Sequence, residues 1–129
     1  MRNPTILVSD DEPLLVNALK REARRFGIDV IIDTKSNVVE LAKAGRPDLI
    51  VLDIHQSLDG RDLLAALKKN PETRDVPVIM LSANEDQFIR HCCFELGACD
   101  YEVKPFDPSF VRKVARMVGH VDEGPAPVH

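Results

Sequence analysis

A chain of 129 residues suggests one domain, and it buries roughly two-thirds of its unfolded surface, enough for a core without staples. Apolar residues make up 44% and charged residues 29%, and a net charge of −4 argues against a nucleic-acid-binding surface. No stretch approaches the ~20 apolar residues that span a bilayer, and the N-terminal apolar run is too short for a signal peptide.

Strand-like and helix-like segments then alternate five times. Residues 5–9 are a continuous β-branched and leucine run. Residues 13–26 place Leu15, Ala18, Leu19, Ala23 and Phe26 at helical spacing, with Asp11 as the cap, Pro13 in the first turn and Gly27 at the end. The polar face of this helix carries Lys20, Arg21, Arg24 and Arg25, a set explained by a solvated face near a helix C-terminus. Residues 29–34 form the second strand. Asn37 and Glu40 have capping-box spacing for a short helix ending at Ala44 and Gly45. Pro47 and Asp48 lead into a third strand that ends at Asp53. Leu63, Leu64 and Leu67, after Gly60, mark a third helix that stops before Asn70 and Pro71. Residues 76–82 form the fourth strand. Asn84 with Gln87 is expected to cap a fourth helix whose apolar face holds Phe88, Ile89, Cys92 and Leu96, with Gly97 at its end. Residues 101–103 are a short fifth strand. Asp107 and Pro108 start a last helix with Phe110, Val111, Val114 and Met117 or Val118 facing inward. Residues 1–119 thus make the domain, and residues 120–129 read as a disordered tail or the start of a linker. The three cysteines, Cys92, Cys93 and Cys99, lack zinc-ligand spacing with histidines, and reduced, inert thiols in a cytoplasmic protein are their simplest reading.

Five β-then-α units predict an α/β fold, a parallel sheet with helices on both faces, because each parallel connection is a crossover. The doubly wound, flavodoxin-like (βα)5 order is 2-1-3-4-5, and its site lies past the carboxyl ends of the strands where the order reverses. That order makes Asp10, Asp11 and Asp53 neighbours, with Ser82 and Lys104 at the ends of the next two strands. Three carboxylates suit Mg²⁺ (or Mn²⁺), a hard cation held by carboxylates and phosphate oxygens. Packed carboxylates repel one another, and a cation relieves this. Lys104 offers a point charge to a phosphate, and the Ser82 hydroxyl a hydrogen bond. A carboxylate in such a site can accept a phosphoryl group as an acyl phosphate, and Asp53, on the central strand, is the best placed. Polar strand ends alone would explain one such residue, not five on four strands.

The pair Asp10-Asp11, Asp53, Ser82-Ala83, Tyr101 and Lys104-Pro105-Phe106, with the run 96–101 before them, together carry a specific resemblance. Over about residues 4–119 the chain resembles a response-regulator receiver domain of bacterial two-component signalling. The resemblance implies that Asp11 ligates Mg²⁺ directly and Asp10 mainly through water, with Asp53 and the backbone carbonyl of His55 as further ligands. It implies that Asp53 accepts a phosphoryl group from the phosphohistidine of a sensor histidine kinase or phosphotransfer protein, or from a small phosphodonor. Lys104, Ser82 and Ala83 would then contact the phosphoryl group, Ser82 would move toward it, and Tyr101 would swing inward. The Lys104–Pro105 bond is expected to be cis. The switched surface, for a downstream protein, would comprise the fourth helix, fifth strand and fifth helix, and dimerisation through the fourth and fifth helices stays open. Such a protein is a signalling switch rather than a turnover enzyme, catalysing only its own phosphorylation and dephosphorylation.

The chain departs from the family directly after Asp53. Where the family commonly has Met-Pro, then Asp or Asn and Gly, this chain has Ile54-His55-Gln56-Ser57-Leu58-Asp59-Gly60. The proline is missing and Gly60 comes one residue early, which is expected to raise loop entropy and loosen the His55 carbonyl. His55 and Asn84, two residues past Asp53 and Ser82, stand where family side chains modulate the acyl phosphate lifetime. Protonation of His55 near its ordinary pKa of about 6.5 would make dephosphorylation pH-dependent, against the plainer reading of a solvent-facing loop histidine. His91 and His120 read as surface residues. The alternative function is a pseudo-receiver, a protein-binding scaffold without phosphorylation. An aspartyl-phosphate hydrolase is disfavoured because His55 stands where those enzymes have a second Asp, and nucleotide or flavin binding because no Gly-rich turn follows the first strand.

Overall fold

The apolar runs become five short strands, each followed by a helix. The computed structural model describes residues 2–119. In chain order these are β1 (Thr5–Ser9), α1 (Pro13–Arg25), β2 (Asp29–Asp33), α2 (Val38–Gly45), β3 (Leu49–Asp53), α3 (Gly60–Lys69), β4 (Val78–Ser82), α4 (Gln87–Glu95), β5 (Asp100–Val103) and α5 (Pro108–Met117). All strand pairs are parallel, in the order β2-β1-β3-β4-β5. This is the doubly wound, flavodoxin-like arrangement expected from the alternation. The tail and the surface reading of His120 lie outside the described residues.

β3 and β4 are buried along their whole length, which explains why they read as continuous apolar runs rather than alternating ones. Their residues still alternate between two cores. Leu49, Val51, Ile79 and Leu81 pack with α1 and α5 residues such as Leu19, Phe110 and Val114. Ile50, Leu52, Val78 and Met80 pack on the other face with Val38, Leu64, Leu67 and Cys93. At a period of two, one strand feeds both layers.

Helix ends differ from the expected caps. Glu12, not Asp11, occupies the N-cap of α1 and makes no side-chain cap bond. Asp10 Oδ1 instead accepts from the Glu12 amide at 2.9 Å, because Asp10 directly follows β1 with its carboxylate buried. The Asn37–Glu40 box does not form. The Asp33 carboxylate takes the Lys35 and Asn37 amides at 3.0 and 2.9 Å and so pre-empts it. Asp86, not Asn84, caps α4 by accepting from Phe88 and Ile89, while Asn84 Oδ1 closes the turn before it onto the Asp86 amide. β4 begins two residues later than expected, after Pro77, which has no amide hydrogen for a ladder.

The inward face of α4 is also corrected. Cys93 is its buried residue, with Ile89 one turn earlier packed against the same core, whereas Phe88 is 71% exposed and Leu96 is exposed too. The apolar side chains of this nine-residue helix that pack on the core are that i, i+4 pair. In α5, Ala115 joins the buried set, Val118 packs on the core and Met117 faces out. Gly27 and Gly97 end α1 and α4 with positive φ of 72° and 110°, where a side chain would be strained. No helix among the described residues is long and apolar enough to cross a membrane.

Candidate functional site

The strand register brings the predicted residues together. Ser9 lies opposite Leu52, so Asp10 and Asp53 emerge side by side from β1 and β3. Ser82 lies opposite Val103, and the next residue, Lys104, donates its amide to the Ser82 carbonyl at 2.7 Å. The Lys104–Pro105 peptide bond is cis. Phe106, just beyond it, stacks at a tilt on Phe110 with ring centroids 5.7 Å apart. Asp10, Asp11 and Asp53 each present a carboxylate oxygen within 4.8 Å of the others. Asp10 and Asp53 are buried and Asp11 is exposed, so the cluster opens to solvent on the Asp11 side.

Lys104 supplies the compensating charge. Its Nζ lies 2.9 Å from Asp10 Oδ2, 3.3 Å from Asp53 Oδ1 and 3.7 Å from Glu12 Oε1. Burial works against the Lys104 ammonium, but contact with Asp10 and the charge of Asp53 outweigh it and raise its pKa. Burial, followed by repulsion from Asp10, raises the Asp53 pKa against the pull of Lys104 and of the His55 amide. One ammonium therefore does not fully relieve the crowded carboxylates. Asp10 Oδ2 is buried, and the Lys104 ammonium at 2.9 Å is its one partner among the described residues. Three clustered carboxylates, two of them sharing the half-buried Lys104 ammonium, fit a hard divalent cation.

The β4 side of the site is arranged around Ser82. Its Oγ accepts from the Asn84 amide at 3.0 Å, which leaves the hydroxyl hydrogen available to donate. Ala83 is exposed beside it. Tyr101 is buried in an inward position, its hydroxyl donating to the Asn84 carbonyl at 2.7 Å. The Arg90 guanidinium lies over the Tyr101 ring at 5.5 Å and over Phe94 at 5.4 Å, a contact that the sequence reading missed. The Asn84 side chain is exposed and committed to its own turn. The His55 side chain is exposed, and its amide donates to Asp53 Oδ1 at 3.3 Å. His91 is exposed on α4.

The family model described as the response regulator receiver domain matches residues 6–116. The chain belongs to that receiver family. This receiver is 35% identical over 127 residues to the alkaline phosphatase synthesis transcriptional regulatory protein PhoP of Bacillus subtilis, a match over 97% of this chain and 52% of the relative. It is 39% identical over 106 residues to the transcriptional regulatory protein PrrA of Mycobacterium tuberculosis, covering 81% of this chain and 45% of that one. The chain spans about half the length of the curated relatives it matches. Among solved structures, the receiver domain of the Francisella response regulator 1452 superposes with a TM-score of 0.81 at 29% identity, over 90% of this chain and 97% of that one. The receiver domain of the sensor histidine kinase PA1611 of Pseudomonas aeruginosa, described with a magnesium ion coordinated in the active site cleft, gives 0.81 at 28% identity, over 91% and 98%.

In this receiver the loop 54–59 is tied to the strands and loops around it by hydrogen bonds. The Ile54 amide donates to the Leu81 carbonyl at 3.0 Å, and the Gly60 amide to the Ile54 carbonyl at 2.8 Å. His55 bridges Asp59, which caps α3 through the Arg61 amide. Ion pairing and hydrogen bonding with Arg61 hold the Asp59 carboxyl below the usual carboxylate range. Gly60 sits so close to the Asp53 carbonyl that a Cβ there would overlap it. The Gln56 side chain adds ties to β1 and to the loop after β2. Sequence reasoning passed over Gln56, Ser9, Asp33 and Ser36, whose polar side chains become meaningful only when the strand order brings them together.

Proposed function

We propose that this receiver is a phosphorylatable switch, in which Asp53 takes a phosphoryl group with Mg²⁺ and changes a protein-binding surface. The observation that carries this reading is the convergence of Asp10, Asp11 and Asp53 within 4.8 Å, with the Lys104 ammonium 2.9 and 3.3 Å from two of them. Asp10, Asp11, Asp53 and the His55 carbonyl would hold the cation. When bound, Mg²⁺ neutralises the carboxylates and the charge on the transferring phosphoryl group.

The chain's own residues do the rest. Asp53 Oδ1 is engaged by Lys104 and the His55 amide, and Oδ2 has no hydrogen-bond donor among the described residues, so Oδ2 is the attacking oxygen. It attacks phosphorus as the P–N bond of a donor phosphohistidine breaks. The bonding pair leaves on the imidazole nitrogen, and Asp53 becomes an acyl phosphate. Lys104, already beside Asp53, pairs with the new phosphoryl oxygens, and the free hydroxyl hydrogen of Ser82 is the sensing donor. Ser82 and Tyr101 connect through Asn84, whose amide binds one and whose carbonyl binds the other. A displacement of Ser82 therefore reaches β5 and α4.

The donor is a histidine kinase or phosphotransfer protein, and the output is a downstream protein that docks on α4, β5 and α5. Exposed Phe94, which shares the Arg90 guanidinium with Tyr101 of β5, supports that face. The protein works in the cytoplasm as a switch, not as a turnover enzyme. Intact-mass measurement after mixing with Mg²⁺ and phosphoramidate tests this. The expected result is a phosphoryl adduct on the native chain and none on Asp53→Asn. No adduct with phosphoramidate or with histidine kinases would leave the scaffold reading.

A further inference from the structure

We propose that Gln56 is a positioning residue for the cation site, setting the spacing between the β1 and β3 ends through its side-chain amide. Its Nε2 donates to the Asp53 carbonyl at 2.8 Å and to the Ser9 carbonyl at 3.3 Å. Its Oε1 accepts from Ser36 Oγ at 3.0 Å and lies 3.3 Å from Ser9 Oγ. Both amide hydrogens thus face carbonyls and Oε1 has a hydroxyl donor in Ser36, which also assigns the amide orientation: nitrogen toward carbonyls, oxygen toward hydroxyls.

Those partners belong to three separate strand ends. Ser9 directly precedes Asp10, and Asp53 is the phosphoacceptor, so one amide spans the backbones that carry the two buried carboxylates. Ser36 brings in the loop after β2. Its Oγ also accepts from the Leu58 amide at 3.1 Å, which ties that loop to the far half of 54–59. Ser36 holds a left-handed backbone, φ 54°, unfavourable for a residue with a Cβ, and its side-chain bonds offset that cost. Ser9 Oγ has one hydrogen, and its 2.8 Å contact with the Asp33 carboxylate takes it in preference to the 3.3 Å contact with Gln56. Asp33 is itself buried and holds the Lys35 and Asn37 amides. The network is satisfied at each of these atoms, and in a loop without proline it fixes where the His55 carbonyl and the Asp53 carboxylate stand relative to Asp10.

This inference rests on the receiver reading and deepens it, since it assigns a residue that shapes the proposed cation site without touching it. Gln56→Met keeps the length of the side chain and removes its bonds to the Asp53 and Ser9 carbonyls and to the Ser36 hydroxyl. Calorimetric titration with Mg²⁺ is expected to show about ten-fold weaker binding, the scale for a partner that orients a metal ligand. At saturating Mg²⁺ the rate of phosphoramidate phosphorylation should fall less than two-fold, because Asp53 itself is intact. Ser36→Ala removes the donor to Oε1, together with the acceptor of the Leu58 amide, and should weaken Mg²⁺ about three-fold, the scale of one neutral hydrogen bond to Gln56. It keeps the test open should Gln56→Met fail to fold. An Mg²⁺ affinity unchanged in the folded variants, with only a lowered unfolding temperature, overturns the proposal and leaves the receiver reading in place. A native chain that neither binds Mg²⁺ nor takes the phosphoryl group overturns both.

Discussion

The loop 54–59 is held by its neighbours, whereas the loop 83–86 is held mostly by itself. The first is bound to the ends of β1 and β4 and to the loop after β2, through Gln56, Leu58 and Ile54. In the second, Asn84 and Asp86 side chains close turns on amides two or three residues away, and the link to the sheet passes through Ser82 and Tyr101. A metal and acceptor site needs fixed distances, and a sensor needs a segment that moves at small cost. Under the proposed function, those two demands fall on the adjacent strands β3 and β4.

The largest test of the fixed side is chemical. Asp53→Asn should abolish the phosphoryl adduct altogether, read by intact mass, while the fold persists by circular dichroism. Gly60→Ala attacks the same loop sterically. Its Cβ overlaps the Asp53 carbonyl and lies 2.6 Å from Ile54 Cα, both backbone atoms that cannot swing away. A loss of about 1–3 kcal/mol in urea unfolding is expected, the range for overpacking.

Charge crowding makes a third prediction with a definite sign. Asp53 holds its proton to higher pH in the folded chain than the ordinary carboxyl value of 3.8, because burial and Asp10 disfavour its charge. The protonated form's contribution to stability is therefore complete below that ordinary value and is lost as pH rises through the folded one. With EDTA at pH 7, Asp53→Asn should raise the unfolding temperature of the native sequence, and Mg²⁺ should narrow the difference. A lowered temperature in EDTA would mean that the Lys104 pairing dominates.

On the movable side the effects shrink. Asn84→Ala removes one exposed turn bond and should cost only about 0.5–1 kcal/mol in the same unfolding assay. Lys113→Met, in α5, removes ion pairs of 2.6 Å to Asp100 and 3.2 Å to Glu102, partly exposed, and should cost about 0.2–1 kcal/mol at pH 7. Burial pushes the Asp100 carboxyl up, but Lys113 and the Tyr101 amide bring it below the ordinary value. The pairing therefore stabilises above that value and is lost as pH falls through the lower folded one, so the cost of Lys113→Met should vanish in acid. A cost on this side as large as that of Gly60→Ala would erase the contrast between the two loops.

Much of this architecture was legible before any coordinates. Apolar runs ending at Ser9, Asp53 and Ser82 show both the strands and the edge at which their polar residues emerge, because parallel strands buried on two faces carry no competing polar pattern. Helix caps were less legible. Asp11, Asn37 and Asn84 have cap-forming side chains near helix starts, yet Asp10, Asp33 and Asp86 take the amides, because a carboxylate at a strand end or in the final turn residue is already oriented toward them. Phe88 misled for a similar reason. Its spacing fits an apolar face, but α4 is short and meets the core through Ile89 and Cys93.

The sequence by itself determined the alternation of strands and helices, the strand order and the convergence of Asp10, Asp11, Asp53, Ser82 and Lys104, since each follows from local patterns and general rules of connection. Only the tertiary structure decided how the proline-free loop is held. The bonds of Gln56 reach residues 20 and 47 positions away, and no local pattern encodes a contact that exists only after three strand ends have met.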